Sequence, residues 1–329
     1  MKVGTRSFVY VDAPMNRPPS GDARLRSPWD AEIELSSDLA RELVARAFPG
    51  LAPVRAELLG YGWDNAAFLV NGGYVFRFPR RAVAVELIRS EGAVLPRIEP
   101  LLTAPIPVPV FAGSPSAAYP WPFAGYPLLR GTPLDAARPS SRERAQLAPA
   151  LGTFLRDLHG SRVRAAVGDL LGGDTIGRLD HAKRLPQARA RLHDAVAAGV
   201  LADGDIFVAA MDRLAPDGAV RPAVVVHGDL YARHLLVDDG GALAGVIDWG
   251  DIHLGDPALD IAAALLVLPP GELDAFRAHY GTIDATTWDR ATYRAIHHAA
   301  LELAYGIDRN DRDLIDAALF ALGALREQL

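Results

Sequence analysis

The sequence predicts an α+β protein with a β-rich first part and a mainly helical second part, and three observations carry that prediction. Short apolar stretches with strand character crowd the first 130 residues. Longer stretches with apolar residues every three or four positions fill much of the rest. Between two of the early strands lies Asn71-Gly72-Gly73, the turn chemistry of a tight hairpin. With 329 residues, 50% of them hydrophobic, the chain can bury the core of one or two domains.

Taken in order, residues 1–30 are interrupted repeatedly by Pro and Gly and read as a loosely ordered extension. From Ser36 to Phe48, Leu39, Leu43 and Ala47 recur every four residues, which predicts a helix. Strands are expected at Val54–Leu59, Ala66–Val70 and Tyr74–Phe78. A helix follows from Val83 to Ile98, weakened in its second half by Gly92 and Pro96. Thr103–Pro109 is a proline-rich loop, and strands lie around Val108–Ala112 and Phe123–Leu129. Leu147, Leu151, Phe154, Leu155 and Leu158 then mark a helical face. The pattern returns to β at Ala223–Val226, Leu235–Val237 and Leu243–Ile247, with a turn at Asp238–Gly241. Asp256-Pro257 predicts a helix start, Asp as N-cap and Pro at the first helical position. Further helices are expected at Leu273–Tyr280, Thr287–Tyr305 and Asp311–Leu325. The simplest division is a lobe at 31–130 and a lobe at 131–329.

Composition excludes several classes. There is no cysteine, hence no disulfide and no thiolate-bound metal. The longest apolar run, Ile261 to Leu268, is too short to cross a bilayer, and the opening residues lack the apolar core of a signal peptide. A cytoplasmic monomer with no membrane partner is therefore expected. The net charge of −6 argues against a nucleic-acid partner. Residues 1–131 hold 14 Lys/Arg and 12 Asp/Glu, whereas residues 132–329 hold 20 and 28. The acidic half suits metal ions or cationic ligands, and the mildly basic half suits phosphates.

The chemistry concentrates in two segments. Val226-His227-Gly228-Asp229-Leu230-Tyr231-Ala232-Arg233-His234 and Ile247-Asp248-Trp249-Gly250-Asp251 each follow an expected strand and enter a loop. Phosphoryl transfer needs one carboxylate to orient the nucleophile and another to hold Mg²⁺ against the phosphates. Asp229 and Asp248 lie 19 residues apart with a hairpin between them, a spacing that lets two loops meet.

These segments resemble the catalytic and metal-binding loops of the aminoglycoside phosphotransferases, relatives of the protein kinases. The likeness covers roughly residues 50–270. It includes Tyr74 to Pro79, Glu91, Pro107 to Leu134 and Gly255-Asp256-Pro257-Ala258-Leu259-Asp260. It implies a protein-kinase-like fold and a small-molecule kinase that uses Mg²⁺ and ATP or GTP. By this resemblance Asp229 is the catalytic base or orienting residue and Asp248 the principal Mg²⁺ ligand. Arg77 stands where a Lys usually reaches the phosphates, steadied by Glu91. Gly62, in Gly60-Tyr61-Gly62-Trp63-Asp64-Asn65, covers the phosphates, and Leu128 belongs to the nucleotide-binding hinge near residues 127–132. His227 packs beneath the catalytic loop.

Two positions depart from the commonest pattern. His234 stands where protein kinases use Asn for a second metal, although the 2″-aminoglycoside and macrolide kinases are similar in having His there. Imidazole is a poor partner for Mg²⁺, so His234 either helps hold a metal or contacts its water. Arg77 offers a fixed fork in place of a lysine's point charge. For the acceptor, Asp251 and Glu302 are the candidate acids facing substrate amines, which favours an aminoglycoside-like hydroxylated molecule. The apolar stretch Ala263–Pro270 favours a macrolide-like site instead. Other small alcohols, or a non-catalytic nucleotide-binding module, are the alternatives. A protein kinase is disfavoured because the chain has no Asp-Phe-Gly to Ala-Pro-Glu segment.

Overall fold

The computed structural model describes residues 31–329 apart from Trp63, Asp217 and residues 219–222; the expected extension at 1–30 lies outside them. The chain divides into two compact units. The first takes the described residues up to Glu99 together with Ile106–Arg130, and the second takes Pro100–Pro105 and Gly131–Leu329. Residues 100–105 join the second unit partly because the Pro105 carbonyl accepts from the Val246 N–H at 2.9 Å.

The first unit is built on a five-stranded antiparallel sheet. Its elements are α1 (Ser37–Ala47), β1 (Ala56–Tyr61), β2 (Asn65–Val70), β3 (Tyr74–Pro79), α2 (Val83–Ile98), β4 (Phe111–Gly113) and β5 (Phe123–Pro127), with strand order β1-β2-β3-β5-β4. Ser36 caps α1 by accepting the Leu39 N–H, as its position before an apolar repeat requires. Alternation along β3 sends Phe76 and Phe78 into the core and Arg77 to the other face. Phe78 stacks on Phe123 at 4.5 Å, and Phe48 from beyond α1 closes over Phe76 at 5.8 Å. Each such ring contributes roughly 2–3 kcal/mol through burial. In α2 the buried positions Ala84, Ile88, Glu91, Leu95 and Ile98 follow helical spacing, so Glu91 is carried on the buried face.

The second unit is mainly helical. It contains β6 (Thr132–Pro133), α3 (Leu134–Ala137), α4 (Ser141–Leu158), α5 (Ser161–Val167), α6 (His181–Ala197), α7 (Asp205–Arg213), β7 (Val224–Val226), β8 (Leu235–Val237), β9 (Leu243–Val246) and β10 (His253–Gly255). It ends with α8 (Ala258–Val267), α9 (Leu273–Tyr280), α10 (Ala285–Arg309) and α11 (Arg312–Arg326). β6, β8 and β9 form one small sheet, and β7 pairs with β10 in another. These two ribbons present the loops at 227–234 and 247–252.

Two expectations about α8 change. Its N-cap is Pro257 rather than Asp256; the Asp256 carboxylate accepts the Ala258 N–H at 2.9 Å and pairs with Arg290 at 2.5 Å. All ten of its residues are buried, and so is Leu268. The stretch Ala263–Leu268 is therefore core packing, not an apolar acceptor surface, and the macrolide argument drawn from it does not hold. A helix buried on every side, apolar here except for Asp260, belongs inside a helical layer.

Candidate active site

The loop after β7 is fixed from below. Gly228 has φ +85°, and a Cβ there would lie 2.7 Å from the Asp251 carbonyl oxygen and from His253 Cε1, so no other residue fits. The His227 and Gly228 N–H groups donate to Asp260 Oδ2 and Oδ1 at 2.7 and 2.9 Å, and His159 Nε2 lies 3.2 Å from the same carboxylate. These donors hold Asp260 below the usual carboxylate range although burial opposes them. His227 packs beneath the loop with its ring 4.7 Å from Trp249. Its Nε2–H donates to the Ile247 carbonyl at 2.9 Å, while Nδ1 accepts the Asp229 N–H at 3.3 Å. That pairing describes a neutral ring, which burial favours. Arg233 anchors the far end of the loop, donating to Asp135 and Asp311 at 2.7 Å each.

Above this base, three sequence-predicted residues come together. His234 Nδ1–H donates to the Asp229 backbone carbonyl at 2.7 Å and lies 4.0 Å from Asp229 Oδ2. Its Nε2 is 3.4 Å from Asp248 Oδ2. With Nδ1 already donating, Nε2 either carries a second proton toward Asp248 or offers a lone pair to a cation there. Asp248 adopts φ +62°, the left-handed region that non-glycine residues enter where surroundings over-determine them. Asp229 keeps about a third of its side-chain exposure (32%). Desolvation, helped by the nearby Asp251 charge and opposed by His234 and Arg294, pushes its carboxyl up to about 6.

The two acids expected to meet an acceptor are differently placed. Asp251 is half-exposed, and its carboxylate is taken by the buried Arg178, which also donates to Asp174 at 2.8 Å. Glu302 is not a surface acid: it is buried on α10, and desolvation together with Asp135 pushes it well above the ordinary glutamate value. His298 lies between Glu302 (3.6 Å) and Asp229 (3.9 Å). Sequence reasoning missed Arg178, Arg294 and the role of Asp260. Asp260 stood inside the quoted Gly255–Asp260 motif. Arg294 continues the His298–Glu302 series backward by one helical turn, a spacing legible in the sequence.

In the first unit, Arg77 Nη1 donates to both oxygens of Glu91, at 2.9 and 3.1 Å, and the Tyr126 hydroxyl donates to Glu91 Oε2 at 2.7 Å. Glu91 is 1% exposed, so its charge is sustained by these partners. The Gly62 N–H donates to the Asn65 carbonyl at 2.8 Å, and its own carbonyl accepts from Arg80 at 3.2 Å. Arg81 pairs with Asp64 at 2.8 Å, so two arginines pin this turn; Trp63 lies outside the described residues. The Leu128 N–H is already donated to the Gly73 carbonyl at 2.9 Å, which removes it as a donor to a nucleotide base.

A family model described as the phosphotransferase enzyme family matches residues 55–296, the span that carries all of these loops. The chain belongs to that family. It is a phosphotransferase with a kinase-like fold, and similar solved proteins agree in fold. The GDP and kanamycin complex of an APH(2″) enzyme is 24% identical, covers 87% of this chain and 98% of its own, and superposes with a TM-score of 0.62. A macrolide 2′-phosphotransferase type I is 22% identical over 85% of this chain and 94% of its own, with a TM-score of 0.56. Among curated proteins, the uncharacterized protein YcbJ of Bacillus subtilis (strain 168) is 23% identical, spanning 76% of this chain and 82% of its own. Among the described residues no helix of this phosphotransferase is long and apolar enough to cross a membrane.

Proposed function

We propose that this phosphotransferase moves the γ-phosphoryl group of ATP or GTP onto a hydroxyl of a small molecule. The observation that carries the reading is His234 bridging two loop carboxylates, 4.0 Å from that of Asp229 and 3.4 Å from that of Asp248. In this reading Asp229 accepts the hydrogen bond of the acceptor hydroxyl and aims its oxygen for in-line attack. Its raised proton affinity keeps it a competent acceptor near neutral pH. By the resemblance, Arg77, held by Glu91, meets phosphate oxygens of the nucleotide.

Mg²⁺ fits the donor set. Among the described residues no group of three His, Asp or Glu forms a complete metal cage. Mg²⁺ needs no such cage, because it is bound through one or two carboxylates with phosphates and water completing its shell. Asp248 would hold it, with His234 beside it through Nε2 or a water. When bound, the ion supplies charge neutralisation at the phosphates. The GDP in the kanamycin complex of the similar enzyme supports a purine nucleotide as donor.

An aminoglycoside acceptor is the first expectation of the resemblance, and the kanamycin bound to that relative supports it. Against it, the acids a polycation would meet are engaged here: Asp251 by Arg178, and Glu302 by burial. Nucleotide turnover with Mg²⁺ tests the kinase reading, measured for ATP and GTP with and without a panel of alcohols. Turnover that depends on Mg²⁺ and rises with an alcohol is expected. Neither nucleotide being bound or turned over would overturn it.

A further inference from the structure

On α10, Arg290, Arg294, His298 and Glu302 recur every four residues and form a buried polar stripe. Three arginines of the second unit that are comparably buried have close acidic partners. Arg233 reaches Asp135 and Asp311 at 2.7 Å, Arg178 holds Asp174 and Asp251, and Arg290 meets Asp256 at 2.5 Å. Arg294 differs. It is 5% exposed, yet among the described residues its guanidinium makes no hydrogen bond, and Asp229 stands at 3.6 Å, beyond hydrogen-bond distance. A guanidinium carries five N–H donors, and no Arg294 nitrogen is among the buried side-chain atoms that lack a partner, so these donors reach solvent although the side chain is mostly covered. Burial pushes it down to about 10, with the charges of Arg178 and Arg184 acting the same way and those of Asp229 and Asp251 opposing them. An arginine held this way is prepared for an anion that is not part of the chain.

The surroundings of Asp229 show which side that anion would occupy. Its Oδ2 has His234 at 4.0 Å, on the side of Asp248. Its Oδ1 has Arg294 at 3.6 Å and His298 at 3.9 Å. One carboxylate oxygen therefore neighbours the metal-side residues, and the other neighbours a buried cation with donors to spare. Of the acids on that side, Asp251 and Asp174 are paired with Arg178, and Glu302 is pushed toward its neutral form by burial.

We propose that the acceptor is a small alcohol that also carries an anionic group, a carboxylate or a phosphate ester, and that Arg294 receives that group. The proposal rests on the kinase reading, in which Asp229 holds the acceptor hydroxyl. Asp229 Oδ1 and Arg294 are 3.6 Å apart, so one small molecule can reach both. In the transfer, the hydroxyl oxygen forms a bond to the γ-phosphorus as the bond to the nucleoside diphosphate breaks, and the hydroxyl proton passes to Asp229. The anionic group stays unchanged and serves to position the acceptor.

The test compares charged and neutral versions of the same alcohol on the full chain with Mg²⁺ and either nucleotide. Glycerate is set against its methyl ester, glycerol 3-phosphate against glycerol, and kanamycin and erythromycin serve as cationic acceptors. The charged member of at least one pair is expected to exceed its neutral counterpart in kcat/KM by about 10²-fold, the usual discrimination of a buried charged contact. The carboxylate and phosphate arms separate the two kinds of anion. Arg294→Gln should collapse that ratio, and Arg294→Lys should restore part of it, which a merely structural arginine would not do. Kanamycin or a neutral alcohol outperforming every anionic acceptor would overturn the proposal, as would an equal fall for charged and neutral acceptors in Arg294→Gln. If no alcohol is turned over, thermal unfolding with millimolar glycerate or glycerol 3-phosphate decides. Stabilisation that Arg294→Gln abolishes upholds the anion site, and its absence overturns it. Failure of the kinase reading is separate, since it appears as lack of Mg²⁺-dependent nucleotide binding and turnover.

Discussion

Asp260 and Asp229 lie close together in the second unit and have opposite characters. Asp260 is fully buried and accepts two backbone N–H groups, with His159 beside it, and these donors keep it ionised. Asp229 keeps partial exposure, and among the described residues its carboxylate accepts no hydrogen bond; its neighbours stand 3.6–4.0 Å away. Desolvation consequently raises its proton affinity instead of lowering it. The difference teaches that a carboxylate saturated by its own chain serves the fold, whereas one left under-satisfied is ready for a substrate. The same contrast separates Arg233 from Arg294.

The largest expected effect is on the under-satisfied member. Asp229→Asn should lower kcat by at least about 10²-fold, the scale of an acid–base contribution, while leaving nucleotide affinity nearly intact. Its stability at pH 7 should be unchanged or higher, because a desolvated charge is removed. Turnover within a few-fold of the parent would break the assignment. Asp248→Ala should abolish Mg²⁺-dependent nucleotide binding and turnover together, which calorimetry with and without Mg²⁺ would read.

Asp260→Asn should reverse the pattern. Replacing a buried carboxylate that accepts two backbone N–H groups puts an amide donor against those donors, at a cost of about 2–4 kcal/mol in denaturant unfolding. An unchanged midpoint would remove Asp260 from its anchoring role.

pH separates the two aspartates further. The folded-state proton affinity of Asp229 is raised, so its charged form costs stability above about pH 6 and its protonation relieves that cost below. Activity, which needs the ionised form, should fall about tenfold per unit as pH drops below about 6. Asp260 is depressed, so its contribution is complete above about pH 4 and is lost only as pH falls through its lower folded value. A kcat/KM profile flat from pH 7 to 5 would break this ordering. The smallest effect is expected at His234: His234→Asn should stay within a few-fold of the parent, because an amide oxygen is the harder ligand for Mg²⁺. A folded but inactive variant would assign the imidazole a task of its own.

The sequence by itself determined the elements whose signals are local. The hairpin at Asn71-Gly72-Gly73, the helix at Val83–Ile98, the strands on either side of Asp229 and the strand before Asp248 follow from turn chemistry and short apolar periods, whereas β10 after Asp248 did not show. α6 escaped because HAKRLPQARARLHDAVA is polar and carries Pro186; it packs through small residues such as Ala188 and Ala195, which leave little periodic signal. The two reacting loops were also legible, since the residues of each are consecutive. Tertiary structure alone decided what surrounds them. Arg178 and Asp251 are 73 residues apart, and Asp229 meets Arg294 only when α10 packs beneath its loop. The excess of acids over bases in residues 132–329 said nothing about the charge beside Asp229. Coulomb interactions decay within about 10 Å in salt, so a site responds to its immediate neighbours, and a sum over half the chain cannot name them.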